Sequence, residues 1–135
     1  MIRLCVLTPN GIVLDEDVTS FSVPSKKGAL VIEGKYTPIY EVLENAGVLK
    51  VVSTKGTSYY AIFNSSIRVT PMKALLCCTL CERGYDINAA RANASADRAR
   101  KRLEEKSDGI DLLRAKASLN RALVRLSVKS LSEGS

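Results

Sequence analysis

Histidine and tryptophan are absent from the 135 residues, and aromatic residues of any kind make up only 5%. Without an imidazole the chain lacks the side chain most often used for proton transfer near neutral pH. No nucleophile stands beside an obvious base, and no glycine-rich phosphate loop occurs, so hydrolase and transferase chemistry have nothing to rest on. No catalytic residue is assigned, and a non-enzymatic, binding role is expected. No apolar run approaches the roughly 18 residues that a membrane-spanning helix needs. Met1-Ile2-Arg3-Leu4-Cys5 lacks the basic-then-apolar order of a secretory signal, so the chain is expected on the cytosolic side.

Cysteine is scarce: Cys5, Cys77, Cys78 and Cys81. A reducing compartment argues against structural disulfides. The Cys78-x-x-Cys81 spacing admits metal or redox chemistry, yet without histidine a zinc site would require all four thiols, the neighbours Cys77 and Cys78 included. Thiols packed within strands are the simpler reading, and no metal ligand is assigned.

What is present divides into two patterns. The 46% hydrophobic and 25% charged content is that of a compact globular chain. Up to Arg83-Gly84 short β segments alternate with turn signals. Candidate strands are Ile2 to Val6, Val18 to Val23, Ala29 to Ile32, Tyr36 to Leu43, Val48 to Ser53, Ser58 to Phe63, Ile67 to Thr70 and Ala74 to Leu80. Between them lie Thr8-Pro9-Asn10-Gly11, Pro24-Ser25-Lys26-Lys27-Gly28, Gly34-Lys35, Asn45-Ala46-Gly47, Lys55-Gly56 and Pro71-Met72-Lys73. Strands so spaced, with no helical period among them, predict an antiparallel β-sandwich over residues 1–84.

After Tyr85 the prolines, aromatics and β-branched runs give way to Ala, Arg, Lys, Glu and Leu at helical spacing, predicting an antiparallel two-helix hairpin over residues 85–135. Asp86 or Asn88 can cap the first helix, and Ser107-Asp108-Gly109 supplies a stop, a turn and a second cap. The second helix is expected from about Ile110 to about Ser130. Ala89, Ala92, Ala96, Ala99 and Leu103 form a seam at steps of three and four, as do Leu112, Ala115, Leu119, Ala122 and Leu126. At about 0.8 kcal/mol per buried methylene, a seam rich in alanine holds weakly for its length. A second track carries Arg91, Ser95, Arg98 and Arg102 on one helix and Arg114, Ser118, Arg121 and Arg125 on the other.

The formal charge of +6 points to anionic partners without choosing among them. The arginine tracks fit a solvated face balanced by Asp97, Glu104, Glu105, Asp108 and Asp111. A nucleic-acid-binding hairpin that tracks phosphates is the alternative, although residues 86–135 offer no aromatic ring for a base to stack on and intersperse acids among the basic residues.

Ile110-Asp111-Leu112-Leu113-Arg114-Ala115, continuing through Leu119-Asn120-Arg121-Ala122-Leu123-Val124-Arg125-Leu126, resembles the C-terminal helix of the epsilon subunit of bacterial F-type ATP synthases. The domain order and nearly the whole chain agree. Gly28-Ala29-Leu30-Val31-Ile32 with Thr37-Pro38-Ile39, and Ile67-Arg68-Val69-Thr70-Pro71, are similar to segments of that family's sandwich. Tyr36 stands where the family usually has histidine, and Asn64-Ser65 replaces its common glycine pair.

The resemblance implies a non-catalytic rotor subunit on the cytoplasmic face of the bacterial inner membrane. Its sandwich would bind the gamma subunit and sit against the membrane-embedded c-ring, coupling proton flow to rotation. Its hairpin would move between compact and extended forms, the extended one opposing ATP hydrolysis with its arginines on an acidic segment of the beta subunit. Some members bind ATP as a regulatory ligand in the compact form, so ATP is a possible ligand here, and no cofactor is expected to be required. The positions that match their ATP-binding pattern here are Glu82, Ile87, Asn88, Arg91, Ala92, Arg98, Arg121 and Arg125, with Asn88 replacing aspartate. Guanidiniums converging from two helices suit a triphosphate, and an asparagine keeps one acceptor oxygen.

Overall fold

The computed structural model describes residues 1–34, 38–105 and 109–134, with the backbone alone for 109 and 110. Tyr36 and the expected Ser107-Asp108 turn therefore lie outside the described residues.

Eight strands form a mostly antiparallel sheet that folds over into a sandwich: β1 (Ile2–Thr8), β2 (Gly11–Val18), β3 (Ser20–Ser25), β4 (Gly28–Glu33), β5 (Ile39–Val42), β6 (Ala46–Ser53), β7 (Gly56–Val69) and β8 (Ala74–Arg83). Their order is β2-β1-β8-β7-β6-β3-β4, with β5 also on β7. Three strands separate β2 from β6 in that order, yet the two touch, which shows the sheet closing on itself. Leu4, Val18, Phe21, Ile32, Leu49, Ile67 and Leu76 fill the space between the layers.

The structure amends the sequence reading in three places. The expected all-antiparallel pairing has an exception, for β1 and β8 run parallel, Leu4 to Leu7 beside Ala74 to Cys77. β2 was not anticipated, because Asp15, Glu16 and Asp17 break its apolar alternation. It is an edge strand that buries only Leu14 and Val18, and carboxylates are suited to an exposed edge; Arg3 on β1 pairs with Asp15 at 3.0 Å.

The segments expected at 58–63 and 67–70 are one 14-residue strand, β7. Asn64 adopts φ 48, a left-handed conformation that asparagine tolerates, and the strand continues through it. At this point β7 changes partners, from Ala46 of β6 opposite Phe63 to Val42 of β5 opposite Ser66. The core-facing side chains change parity with it, from Tyr60 and Ile62 to Ile67 and Val69.

A 3-10 turn at Gly84–Asp86 leads into α1 (Ala89–Glu104) and then α2 (Gly109–Gly134), which runs farther than expected. Asn88, not Asp86, is the N-cap of α1: its side chain accepts from the Arg91 N–H at 3.1 Å. The alanine seam is buried at Ala92, Ala96, Ala99, Ala115 and Ala122. The helical pair rests on the outer face of β7 through a second, smaller cluster of Ala61, Phe63, Ile87 and Val128. The 3-10 turn meets α2 without room for a side chain. A Cβ placed on Gly84 would overlap the Ser132 Oγ and lie 2.6 Å from its Cβ and 3.3 Å from the Val128 carbonyl oxygen.

Candidate functional site

Where β8 ends, the 3-10 turn, the start of α1 and the middle of α2 enclose a polar cleft. Glu82, Asp86, Ile87, Asn88, Arg91, Ala92, Ser95 and Arg125 line it, and its volume is about 260 Å³. Each element supplies a distinct part. Glu82 comes from β8 just before the chain leaves the sheet. Ile87 and Ala92 are buried at 6% and 5% exposure and make the apolar wall. Asn88 uses its side-chain oxygen to close the first turn of α1, a contact typically worth about 1 kcal/mol, at the cleft's edge.

The electrostatic centre is the pair of Arg125 Nε and Glu82 Oε1 at 2.6 Å, with both side chains about two-thirds buried, 27% and 31% exposed. The guanidinium carbon of Arg125 also lies 4.8 Å from the centre of the Phe63 ring. One arginine of α2 thus meets a carboxylate of β8 and an aromatic face of β7, joining helix to sheet by a charge-assisted hydrogen bond and a cation–π contact. Arg91 carries a further positive charge at the cleft wall.

A groove of about 100 Å³ adjoins this cleft through the shared Ser95, and is lined also by Arg98, Ala99, Arg102, Ala115 and Ser118. Arg98 donates to the Ser95 hydroxyl at 3.1 Å. Of the residues singled out in the sequence, the structure gathers Glu82, Ile87, Asn88, Arg91, Ala92 and Arg125 in the cleft and puts Arg98 in the adjoining groove. Arg121 is exposed and lines neither. Asp86, seen in the sequence only as a possible cap, is part of the cleft. Phe63 escaped sequence reasoning altogether, since nothing local marks a strand residue that will meet an arginine 62 positions later.

The two cavities together are lined by four arginines and two acidic residues, with Ser95 and Ser118 beside them. Such a surface receives a polyanion by direct charge-assisted hydrogen bonds. The cleft alone is smaller than the roughly 300–1,000 Å³ of sites that enclose a drug-sized ligand, so an anion of that size would extend into the groove. Among the described residues no group of three or more His, Cys, Asp or Glu is placed to hold a metal ion. No helix among them is long and apolar enough to cross a membrane.

Residues 1–84 match the family described as ATP synthase, Delta/Epsilon chain, beta-sandwich domain, and residues 86–130 its long alpha-helix domain. The ATP synthase epsilon chain of Anoxybacillus flavithermus is 33% identical over 78% of this chain and 78% of its own length. That of Bacillus subtilis is 31% identical over 82% of this chain and 83% of its own. Among solved structures, a chain of the Euglena gracilis mitochondrial ATP synthase (OSCP/F1/c-ring) superposes with a TM-score of 0.73, covering 98% of this chain and 79% of that one at 15% identity. A chain of the Tetrahymena thermophila mitochondrial ATP synthase central stalk and c-ring gives 0.64, covering 95% and 96% at 14% identity; at such identities the likeness is one of fold. With both halves matched in order and nearly end to end, the chain belongs to the ATP synthase Delta/Epsilon chain family, the non-catalytic epsilon-type subunits of the F-type enzyme.

Proposed function

We propose that this central-stalk subunit is a rotor component with a releasable arm. The sandwich binds the gamma subunit and faces the c-ring, helping couple proton flow to ATP synthesis at the cytoplasmic face of the membrane. The helical pair is the arm, which opposes ATP hydrolysis when it leaves the sheet and turns its arginines to an acidic segment of the beta subunit.

The observation that carries this reading is the slightness of the arm's attachment. Among the described residues, four buried side chains ringed by the partly buried Ala46, Val48, Tyr59 and Val124, the contacts of Arg125 with Glu82 and Phe63, the close packing of Gly84 on Ser132 and a hydrogen bond from Lys129 Nζ to the Tyr85 carbonyl at 3.4 Å join α2 to the sandwich and the turn below it. An interface with only four fully buried apolar side chains, one of them an alanine, can be opened by a competing partner that binds only the released arm. ATP in the cleft would act in the opposite direction, bridging Arg91 on α1 with Arg125 on α2 and keeping the compact form populated. Family membership favours these partners over nucleic acid for the basic face.

The test is truncation after Tyr85 within the assembled enzyme. Assembly with gamma should persist while ATP hydrolysis rises; unchanged hydrolysis would remove the inhibitory role. Calorimetric titration of the full chain with ATP should give heat that Arg91→Ala and Arg125→Ala, the two arginines lining the cleft, diminish. A flat trace at millimolar ATP would end the nucleotide claim and leave the arm's role to the first experiment.

A further inference from the structure

On one side β7 outruns its neighbour. Its ladder with β8 ends where Tyr60 faces Arg83, whereas its ladder with β6 continues to Gly56. Gly56 to Tyr59 therefore have no strand beside them where β8 would have continued, because the chain leaves the sheet there through the 3-10 turn at Gly84. The backbone groups of a strand point alternately to its two neighbours, so among Thr57, Ser58 and Tyr59 at least one N–H faces the open edge whatever the phase. No hydrogen bond from the described residues meets it.

That edge is the wall of a cavity of about 80 Å³. Thr57 and Ser58 of β7, Arg83 of β8, Gly84 of the turn and Ser132 of α2 line it, and the exposed Tyr85 stands at its rim. Arg83 is the one charged residue in the lining. Its guanidinium carbon lies 5.9 Å from the centre of the buried Tyr60 ring, a cation–π contact that steadies the side chain and leaves its charge in place. Arg3, Arg100 and Arg125 each pair with a carboxylate. Arg83 forms no ion pair among the described residues.

A guanidinium, two hydroxyls and a strand-edge N–H around one small space are donors gathered on a single positive charge, a setting for an oxyanion. Size narrows the choice. At roughly 15 Å³ per water-sized atom, 80 Å³ admits about five atoms, the number in a phosphate ion and far fewer than in a nucleotide. The polar cleft of Arg91 and Arg125 is a different place, sharing no lining residue with this cavity. Glu82 and Arg83 follow one another in β8 and so point to opposite faces of the sheet, one into each.

We propose that this cavity is a site for inorganic phosphate, formed between the open edge of β7 and the docked arm. Arg83 supplies the charge, the Thr57 and Ser58 hydroxyls and the edge N–H donate to the remaining oxygens, and Ser132 closes the space from α2. The arm's part in it rests on the reading of the helical pair as releasable. Because Ser132 is in place only when α2 is docked, phosphate binds the docked form more tightly and raises its population. The ion consumed in ATP synthesis would thus hold the arm in its non-inhibiting position.

The experiment is titration of the isotope-labelled full chain with inorganic phosphate at constant ionic strength, chloride being the balancing anion, with amide shifts followed by NMR. Shifts at Thr57, Ser58, Tyr59 and Gly84 should saturate at millimolar phosphate. Arg83→Gln, at an exposed position, should weaken binding about tenfold or more through loss of charge-assisted hydrogen bonds. Arg68→Gln, which removes an equal charge from an exposed position farther along β7, should leave it unchanged. Saturating phosphate should also slow hydrogen exchange of α2 amides around 124–132, and this slowing should be lost in Arg83→Gln; circular dichroism verifies the fold of each variant. Shifts that do not saturate, undiminished binding in Arg83→Gln, or a comparable loss in Arg68→Gln would each overturn the site. Saturable binding that leaves α2 exchange unchanged would overturn the arm's part in it, while hydrolysis by the enzyme with the truncated subunit tests release of the arm separately.

Discussion

Gly84→Ala tests the joint between sandwich and arm more directly than any charge substitution. The new Cβ would overlap the Ser132 Oγ, and it would also stand 2.6 Å from the Ser132 Cβ, which no rotation about χ1 moves, and 3.3 Å from the Val128 carbonyl oxygen. Ordinary carbon–carbon contact begins near ~3.5 Å, so the last turns of α2 must retreat by about 1 Å. A gap of that size forfeits a quarter to a half of each affected dispersion contact, and it opens beside Val128, the fully buried anchor of the small cluster. Overpacking of this kind costs about 1–3 kcal/mol, which shifts a docked-to-released equilibrium by about 5- to 150-fold. Hydrogen exchange read by mass spectrometry should show α2 amides around 124–132 exchanging faster by that factor, while β6 amides keep their protection. Ser132→Gly removes both overlapping atoms. Combined with Gly84→Ala it should restore part of the protection, since it relieves the overlap but gives up the Ser132 hydroxyl and the ~0.5 kcal/mol that glycine costs relative to serine in a helix. Unchanged exchange in Gly84→Ala, or no recovery in the double variant, would refute the close approach as the feature that seats the arm.

Three further outcomes follow from local geometry. Asn88→Ala removes the acceptor for the Arg91 N–H and should destabilise α1 by about 1 kcal/mol, whereas Asn88→Asp should keep the cap; helix content against urea distinguishes them. Asn64→Val forces a β-branched residue into φ 48 and should cost about 1–3 kcal/mol in denaturant unfolding, whereas Asn64→Gly should be tolerated. Tyr60 is 3% exposed, and burial raises its phenol above the ordinary range, with Arg83 acting in the opposite direction. Because the folded form keeps the proton longer, this contribution is complete below the unfolded phenol's pKa of about 10 and is lost as pH rises through the raised folded value. Tyr60→Phe should therefore flatten the fall in melting temperature above about pH 10; an identical fall in the variant would exclude Tyr60 as its source.

Periodicity made the helical pair legible. The seam alanines Ala92, Ala96, Ala99, Ala115 and Ala122 are buried as their spacing required, because on a helix the face is set by position along the chain. Turn chemistry was legible for the same local reason. Gly11, Gly28 and Gly56, each ending an expected turn, have positive φ of 123°, 117° and 132°. β2 was hidden because an edge strand buries few side chains and writes little alternation. β7 looked like two strands because an Asn-Ser step is indistinguishable, read alone, from a turn.

The candidate site shows where local information runs out. Spacing and resemblance picked out Arg91, Arg98 and Arg125, but each is also an unremarkable member of a basic helix face. Tertiary packing decided that Arg125 meets Glu82 and Phe63, that Asn88 is engaged as a cap, and that Arg121 stays outside the cleft. It likewise set β1 parallel to β8.

By itself the sequence determined which segments are strands or helices, where most turns fall, and that the helices carry one apolar and one guanidinium edge. Each follows from interactions between residues a few positions apart. Which edges meet, and which arginine meets which carboxylate, depends on contacts across tens of residues. Those contacts are selected by joint burial and charge pairing, and the chain acquires them only when sheet and helices pack together.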